Sequence, residues 1–340
     1  MASNRVLILH NEPVLSPEHP DSASEREVLE TVDFVHQSLA EAGFDVSRLG
    51  AAHDVHALIS QLRALRPEIV FNLFEGTGDD GGNEAYVAGL LEWLGISYTG
   101  CPLQALCLAR NKPLTKTLLH GAGLPSARFL VVDALPVAPC NIPWPVIVKP
   151  ASQDASVGVD QNSVVSDQRG LEERIDYLLR RYGQPALVEE YVAGRELDVA
   201  LVENPELRVL PISEVLFVDT PAGGWPIVTY DAKWSPGSKD FAATPTCCPA
   251  DISPQLQERL GSLARNTFRL LGCRDYARVD FRVRPSGEAS ILEVNPNPSY
   301  HPTAGFAKAL VAAGIAQEQF TVNLVLQAQQ RAGIRQAPAL

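Results

Sequence analysis

The chain has no excess of basic charge: 28 Lys and Arg stand against 40 Asp and Glu, a formal net charge of −12 at pH 7. That balance argues against a nucleic-acid partner and against an anionic membrane surface, both of which are bound through clustered Lys and Arg. The six cysteines, Cys101, Cys107, Cys140, Cys247, Cys248 and Cys273, include no C-x-x-C pair. Neither a zinc framework nor a disulfide scaffold is signalled, and reduced, buried thiols are expected. No charged segment followed by an apolar run opens the chain, and no stretch approaches the length of a membrane span. A cytoplasmic location without membrane attachment is therefore the expectation. A G-x-x-x-x-G-K-[ST] phosphate loop is missing as well.

What is present is an ordinary globular composition, 46% hydrophobic and 20% charged over 340 residues, enough for two or three domains. The first hundred residues alternate apolar runs with helical patterns. Strands are expected at 5–10, 44–49, 69–74 and 96–99, and helices from about Ser24 to Gly43, over 55–65 and over 84–94. Such a βαβαβαβ order implies a parallel α/β sheet with ligand loops at the carboxyl ends of its strands. Glu25 and the Gly/Asp-rich loop from Glu75 to Gly82 occupy such ends, where a solvated turn is the plain alternative.

The residues from Tyr276 to Asn295 read as two strands joined by a turn at Pro285, Ser286 and Gly287. Side chains alternate faces along a strand, so Arg278 and Asp280 share one, and Ile291, Glu293 and Asn295 share one in the second strand. A turn centred between Ser286 and Gly287 places Asp280 opposite Glu293 and Arg278 opposite Asn295, with Cβ atoms about 5 Å apart. Facing carboxylates destabilise a sheet unless something positive lies between them. Oxygen ligands from Asp, Glu and Asn suit a hard cation such as Mg²⁺. Taken alone, the same residues also fit a solvated hairpin face of alternating charge.

Between these regions the character changes near 106–111. A helix is expected from Lys112 and Pro113 to about Gly121, then a strand over 144–150 carrying Lys149, followed by the small polar loop 151–158. Strands follow at 186–190 and 196–202, with a further pair at 209–218 and 226–231 and a long loop over 232–246. Ser253 and Pro254 start a helix that Gly272 ends, and terminal helices are expected from Thr303 to about Arg331, packed on the hairpin's sheet.

In this order the chain resembles the ATP-grasp superfamily, and within it the D-alanine:D-alanine ligase family. The resemblance rests on 24–28, Tyr98-Thr99-Gly100, Asn111-Lys112, 146–150, Ser156-Val157-Gly158, Val188-Glu189-Glu190, Gly194-Arg195-Glu196, Ala232-Lys233, Gly272-Cys273, Arg278-Val279-Asp280 and 292–295. It implies an N-terminal parallel α/β domain over 1–110, a central ATP-grasp lid over 111–192 and a mixed-sheet catalytic domain over 193–340. It further implies that ATP activates a carboxylate as an acyl phosphate, which an amine then attacks.

Residue by residue, Lys112 and Lys149 match lysines on the α and β phosphates, and Ser156, Val157 and Gly158 the loop over them. Lys233 matches the mobile-loop lysine at the γ-phosphate. Glu189, Glu190 and Val192 fall beside adenine, and Glu196 at the ribose. Asp280, Glu293 and Asn295 match ligands of two Mg²⁺ ions, with Mn²⁺ an alternative, and Arg278 the arginine that stabilises the oxyanion. Glu25 matches the residue that meets the first substrate's ammonium group. The resemblance also implies amino-acid or small-peptide substrates and a homodimer.

The departures fall on the amino-acid subsites. Ala155 and Trp234 stand where the family has a serine and a tyrosine that hydrogen-bond with the glutamate, and Phe74-Glu75-Gly76 replaces a histidine-glycine run. After the hairpin, Ser299, His301, Thr303 and Ala304 replace a segment whose serine receives the second substrate's carboxylate. A histidine in such a proline-rich loop is expected to be exposed. Three readings stay open: a carboxylate-amine ligase for substrates other than D-alanine alone, a cell-wall D-alanine ligase, and a nucleotide-binding protein without ligase turnover.

Overall fold

The computed structural model describes residues 4–13, 22–76, 82–153, 156–220, 223–235 and 237–336. The first apolar run forms β1 (Arg5–Asn11), in which Val6, Leu7, Ile8 and Leu9 are buried. Helix α1 (Ser22–Glu41), β2 (Asp45–Ala51), α2 (Val55–Leu65), β3 (Ile69–Leu73), α3 (Asn83–Trp93) and β4 (Ser97–Tyr98) follow. The four strands make one parallel sheet in the order β2-β1-β3-β4. This is the alternation the hydrophobic periods imply. Local signals agree, since the Asp54 side chain caps α2 by accepting from the backbone N–H groups of His56 and Ala57.

Two helices, α4 (Leu103–Arg110) and α5 (Lys112–Gly121), lead into a second sheet built from β5 (Phe129–Val132), β6 (Val146–Pro150), β7 (Val164–Val165) and β8 (Ala186–Glu190). Its order is β5-β8-β6-β7, all antiparallel. Helix α6 (Gln168–Tyr182) covers one face, burying Leu171, Ile175 and Leu178 against Val146, Val148 and Val188. Asp167 caps its start and Gly183, at φ 61°, ends it in the left-handed conformation that glycine adopts without strain.

The third sheet holds the hairpin. Strands β9 (Arg195–Glu203), β10 (Leu207–Val209), β11 (Ser213–Val215), β12 (Thr246–Cys247), β13 (Tyr276–Val283) and β14 (Ala289–Pro296) run β12-β11-β9-β13-β14, with β10 paired to β9. Two short helices, α7 (Tyr230–Trp234) and α8 (Lys239–Ala242), precede β12, and α9 (Pro254–Leu271) follows it. Ser253 caps α9 and Gly272 closes it, as the sequence implies. Its Leu260, Ala264, Phe268 and Leu271 pack on Leu197, Val199, Val279 and Phe281, which fill one face of the sheet.

The opposite face is divided. At one end, Tyr276, Ala200 and Val202 lie under α10 (Gly305–Ala312) and α11 (Gln317–Gln336). Phe306 sits 5.2 Å from Tyr276, and Tyr300 sits 5.7 Å from Phe71 of the first sheet, between ring centroids. The terminal helices therefore join the hairpin's sheet to the N-terminal one rather than packing on the former alone. No single helix among the described residues is long and apolar enough to cross a membrane; α10 and α11 pass that test only as a pair bent by 100°. At the other end the face carries Glu196, Asp198, Arg278, Asp280 and Arg282, and chemistry collects there.

The expected strand over 226–231 is not formed. Thr229 instead accepts from the Ala232 N–H and starts α7, and Pro226 has no N–H to give a ladder. The long loop expected over 232–246 likewise contains most of α7, all of α8 and the first residue of β12.

Candidate active site

The hairpin pairs Arg278 with Asn295 and Asp280 with Glu293, the partners anticipated from the sequence, but by a different route. Val283 faces Ala289, so the turn is centred on Ser286. Continued unbroken, that register would set Asp280 against Leu292. A bulge between Asp280 and Phe281 takes Leu292 out as an extra residue and brings Glu293 into place. Ile291 consequently joins Val294 in the core and does not share the face of Glu293. Bulges re-aim side chains in this way next to reactive sites.

Arg278 grips Asp280 with two hydrogen bonds, Nε to Oδ1 at 2.7 Å and Nη2 to Oδ2 at 2.8 Å. Asn295 Nδ2 donates to Asp280 Oδ2 at 2.8 Å. Because a carboxylate only accepts, this contact orients the amide and leaves its carbonyl oxygen as an acceptor on the same face. Glu293 lies 3.7 Å from the Lys112 ammonium. Burial pushes the Glu293 carboxyl up, but Lys112, Lys233, Lys149 and Arg278 together pull it well below the usual carboxylate range. Four cations widely separated in the sequence thus act on one carboxylate. The positive charge demanded by the Asp280–Glu293 pair is supplied here by protein side chains.

Lys112 follows Asn111, whose side chain caps α5 by accepting from the Leu114 N–H. Lys149, on β6, lies 3.2 Å from Glu189 of β8, and Lys116 lies 3.3 Å from the other oxygen of that carboxylate. Glu189 is buried, and the two ammonium groups hold its carboxyl low against the effect of burial. Glu190 faces away and pairs with Arg284 at 2.5 Å and Arg128 at 3.3 Å. Val192 is buried close by in sequence.

Glu196 pairs with Arg282 at 3.0 Å, and Arg282 also donates to the Gly194 and Pro226 carbonyls. Burial raises the Glu196 carboxyl, with Arg282 opposing. Asp198, directly across the ladder from Asp280, is raised further by burial and by that like charge. It is absent from the sequence-derived set, although its spacing from Glu196 on an alternating strand places both on one face.

In the loop after β6, Ser156 and Gly158 have φ of 61° and 74°. A Cβ on Gly158 would lie 2.7 Å from the Pro150 ring, so the tight return requires glycine. Arg174 holds this loop through the Gly158 carbonyl at 2.7 Å and Asp160 at 3.0 Å. Tyr230 N–H donates to the Val159 carbonyl at 3.0 Å, linking the loop to α7, where Lys233 and Trp234 are half-buried. Val157 is half-buried. Ala155 lies outside the described residues, as does the side chain of Glu25 near the start of α1.

Beyond the hairpin, Ser299 is exposed. His301 is not: its side chain is 11% accessible, with Nδ1 at 2.9 Å from Thr303 Oγ1 and Nε2 at 3.2 Å from Glu30 of α1. The histidine therefore ties this segment to the helix that carries Glu25. Ala304 begins α10 with no side chain to cap it.

A family model for the D-ala D-ala ligase C-terminus matches residues 120–326. A D-alanine–D-alanine ligase of Desulforudis audaxviator is 34% identical over 316 residues, 91% of this chain and 96% of the relative. The chain belongs to the D-alanine–D-alanine ligase family. It is an ATP-grasp carbon–nitrogen ligase by that membership. An uncharacterized protein of Sinorhizobium fredii is also 34% identical, over 246 residues, 72% of this chain and 70% of that protein. Among solved structures, the D-alanine–D-alanine ligase of Bacillus anthracis complexed with ATP superposes with a TM-score of 0.75 at 18% identity, covering 98% of the ligase described here and all of that chain. The α/β architecture agrees with this likeness, but the sheet that carries the hairpin is antiparallel in all its strand pairings among the described residues, not mixed as expected, because each of its strands pairs antiparallel to β9, β11 or β13.

Besides Asp198, sequence reasoning missed several buried charges of the ligase, among them Arg282, the partner of Glu196. Lys116 joins Glu189, and Asp275 joins Gly100 and Arg331. For Lys116 a signal exists: it stands four residues after Lys112, so both project from one face of α5, and each needs its own carboxylate.

Proposed function

We propose that the ligase uses ATP to join a carboxylate and an amine of amino-acid or small-peptide substrates through an acyl phosphate. The observation that carries this is the facing of Asp280 and Glu293 across the hairpin, with Arg278 bound to both oxygens of Asp280 and Lys112 3.7 Å from Glu293. A carboxylate oxygen of the first substrate attacks the γ-phosphorus, and ADP leaves. The amine then attacks the acyl carbon, and phosphate departs with that oxygen. Phosphoryl transfer of this kind is mostly positioning and charge neutralisation.

In this reading Lys112 and Lys149 hold the α and β phosphates, Lys233 meets the γ-phosphate, and the 156–158 loop closes over them. Glu189, Glu190 and Val192 line the adenine side and Glu196 the ribose. Among the described residues no group of three or more His, Cys, Asp and Glu forms a metal cage. Asp280, Glu293 and the oriented amide of Asn295 nevertheless fit Mg²⁺, or Mn²⁺, which takes one or two carboxylates and completes its shell with phosphate oxygens and water. A cation bound there neutralises charge on the β and γ phosphates. Arg278 supports the tetrahedral oxyanion. A homodimer in the cytoplasm completes the proposal.

Labelling the donor carboxylate with ¹⁸O tests the chemistry: one label is expected in the released phosphate, and its absence would exclude the acyl-phosphate route. Replacing Lys112 or Lys149 with Ala should weaken ATP binding about tenfold or more, as each removes a charge-assisted contact. Titration calorimetry reads this directly, and unchanged affinity in both variants would remove the phosphate assignment. Each lysine is also paired with an acid, so a small loss of melting temperature without nucleotide is expected.

The substrate subsites depart from a D-alanine pair. Ala155 and Trp234 cannot rebuild a hydroxyl network over the first substrate, and Ala304 offers no hydroxyl to a second carboxylate. Loss of such a donor costs about 1.5–3 kcal/mol, roughly tenfold to a hundredfold in affinity. Ser299, the anchored His301 and Thr303 are the nearest replacements in sequence. The 34% identical D-alanine–D-alanine ligase supports the competing reading, a cell-wall ligase with altered contacts.

A further inference from the structure

We propose that Lys116 is a positioning residue for the ligase: it keeps the buried Glu189 carboxylate neutralised, so that Lys149 is released to the nucleotide phosphates. This rests on the placement of Lys149 at the phosphates proposed above. One carboxylate is shared by two lysines, with Lys116 at 3.3 Å from Oε2 and Lys149 at 3.2 Å from Oε1. Their anchoring is unequal.

Lys116 is 2% accessible, and three acceptors surround its ammonium: Glu189, Ser126 Oγ at 3.1 Å and the Leu292 carbonyl at 3.4 Å. Hydrogen bonds to Ser126 and Leu292 and the ion pair with Glu189 thus all direct the ammonium into the protein. Leu292 is the bulged residue beside Glu293, and Ser126 in turn donates to the Ile291 carbonyl at 3.2 Å. Lys116 is thereby fixed to the hairpin as well as to β8.

Lys149 is more accessible, at 12%, and its approach to Glu189 lacks hydrogen-bond geometry: Glu189 Oε1 is buried without a hydrogen bond. The Lys149 ammonium also helps hold the Glu293 carboxyl low, so its charge reaches the hairpin carboxylate as well as Glu189. Burial pushes the Glu189 carboxyl up, and Lys116, followed by Lys149, more than offsets it. With Lys116 present, withdrawal of Lys149 leaves Glu189 still paired. Without it, the same withdrawal strands a carboxylate that is 1% exposed, and an unpaired buried charge is strongly destabilising. Lys149 would then be retained by Glu189.

The test measures ADP and adenosine binding to the full chain by calorimetry and competition. Lys116→Met should weaken ADP about tenfold and leave adenosine within about twofold, because the effect passes through a phosphate contact. In a Glu189→Gln background, which removes the buried charge that would retain Lys149, Lys116→Met should add no further loss of ADP affinity. Equal losses for ADP and adenosine, or an undiminished Lys116→Met loss in the Glu189→Gln background, would overturn the proposal. If Lys149→Met alone leaves ADP affinity unchanged, the phosphate assignment of Lys149 is what fails. Lys116→Gln, which keeps donors for Ser126 and Leu292, carries the same measurement where the methionine variant does not fold, with the same two results expected.

Discussion

Glu293→Ala is expected to abolish turnover while leaving the fold intact. The substitution removes the carboxylate opposite Asp280 on which Lys112, Lys233, Lys149 and Arg278 converge. A cation held there, as proposed, would supply several kcal/mol of charge stabilisation to phosphoryl transfer, so kcat should fall by at least about a thousandfold. The Glu293 side chain is 25% accessible and its removal opens no core cavity, but it ends the ion pair with the buried Lys112, so a modest fall in melting temperature is expected at neutral pH with the fold retained. Phosphate release at saturating Mg²⁺ gives the rate, and near-wild-type consumption of ATP would make the hairpin a structural element. Glu293→Gln, similar in shape and uncharged, should be as inactive, which separates loss of charge from loss of volume.

The largest effect on stability is expected at Asp275, away from the reacting groups. Its carboxylate is 1% accessible and accepts from Gly100 N–H at 2.7 Å and from Arg331 at 2.6 and 2.9 Å. Arg331 also donates to the Tyr98 carbonyl at 2.9 Å. One side chain therefore joins the end of the N-terminal sheet, the turn before β13 and the last helix. Asp275→Asn keeps a residue that tolerates the φ of 64° but loses the charge, leaving Arg331 short of its partner. Breaking a buried pair costs about 3 kcal/mol, and Asp275→Ala should lose roughly 1 kcal/mol more from the left-handed backbone. Denaturant titration tests both, and a variant as stable as the parent would show that the three segments are held by apolar contacts alone.

The N-terminal sheet was legible because its signals are local. Apolar runs of strand length alternate with helical periods, and the Ser253, Pro254 and Gly272 punctuation of α9 needs no tertiary information. The hairpin was legible only in part. Its facing pairs are those expected, yet the bulge at Leu292 is invisible in the sequence, since the 285–287 turn fits either centre. The strand expected over 226–231 failed because a Thr229 cap competes with extended structure. Lys116, Asp198 and Asp275 have partners tens to hundreds of residues away or across a strand register, which no single-sequence period reveals. His301 was misjudged for the same reason, its partner Glu30 being 271 residues distant.

Amide formation across a panel of amino acids and small amines, D-alanine included, tests the account most directly when product mass and released phosphate are followed together at equal substrate concentrations. One phosphate per amide is expected, with a fastest pair other than D-alanine with itself. Homodimerisation of D-alanine faster than any other pair would contradict the substrate reading, and ATP consumption without an amide from any pair would contradict the proposed reaction.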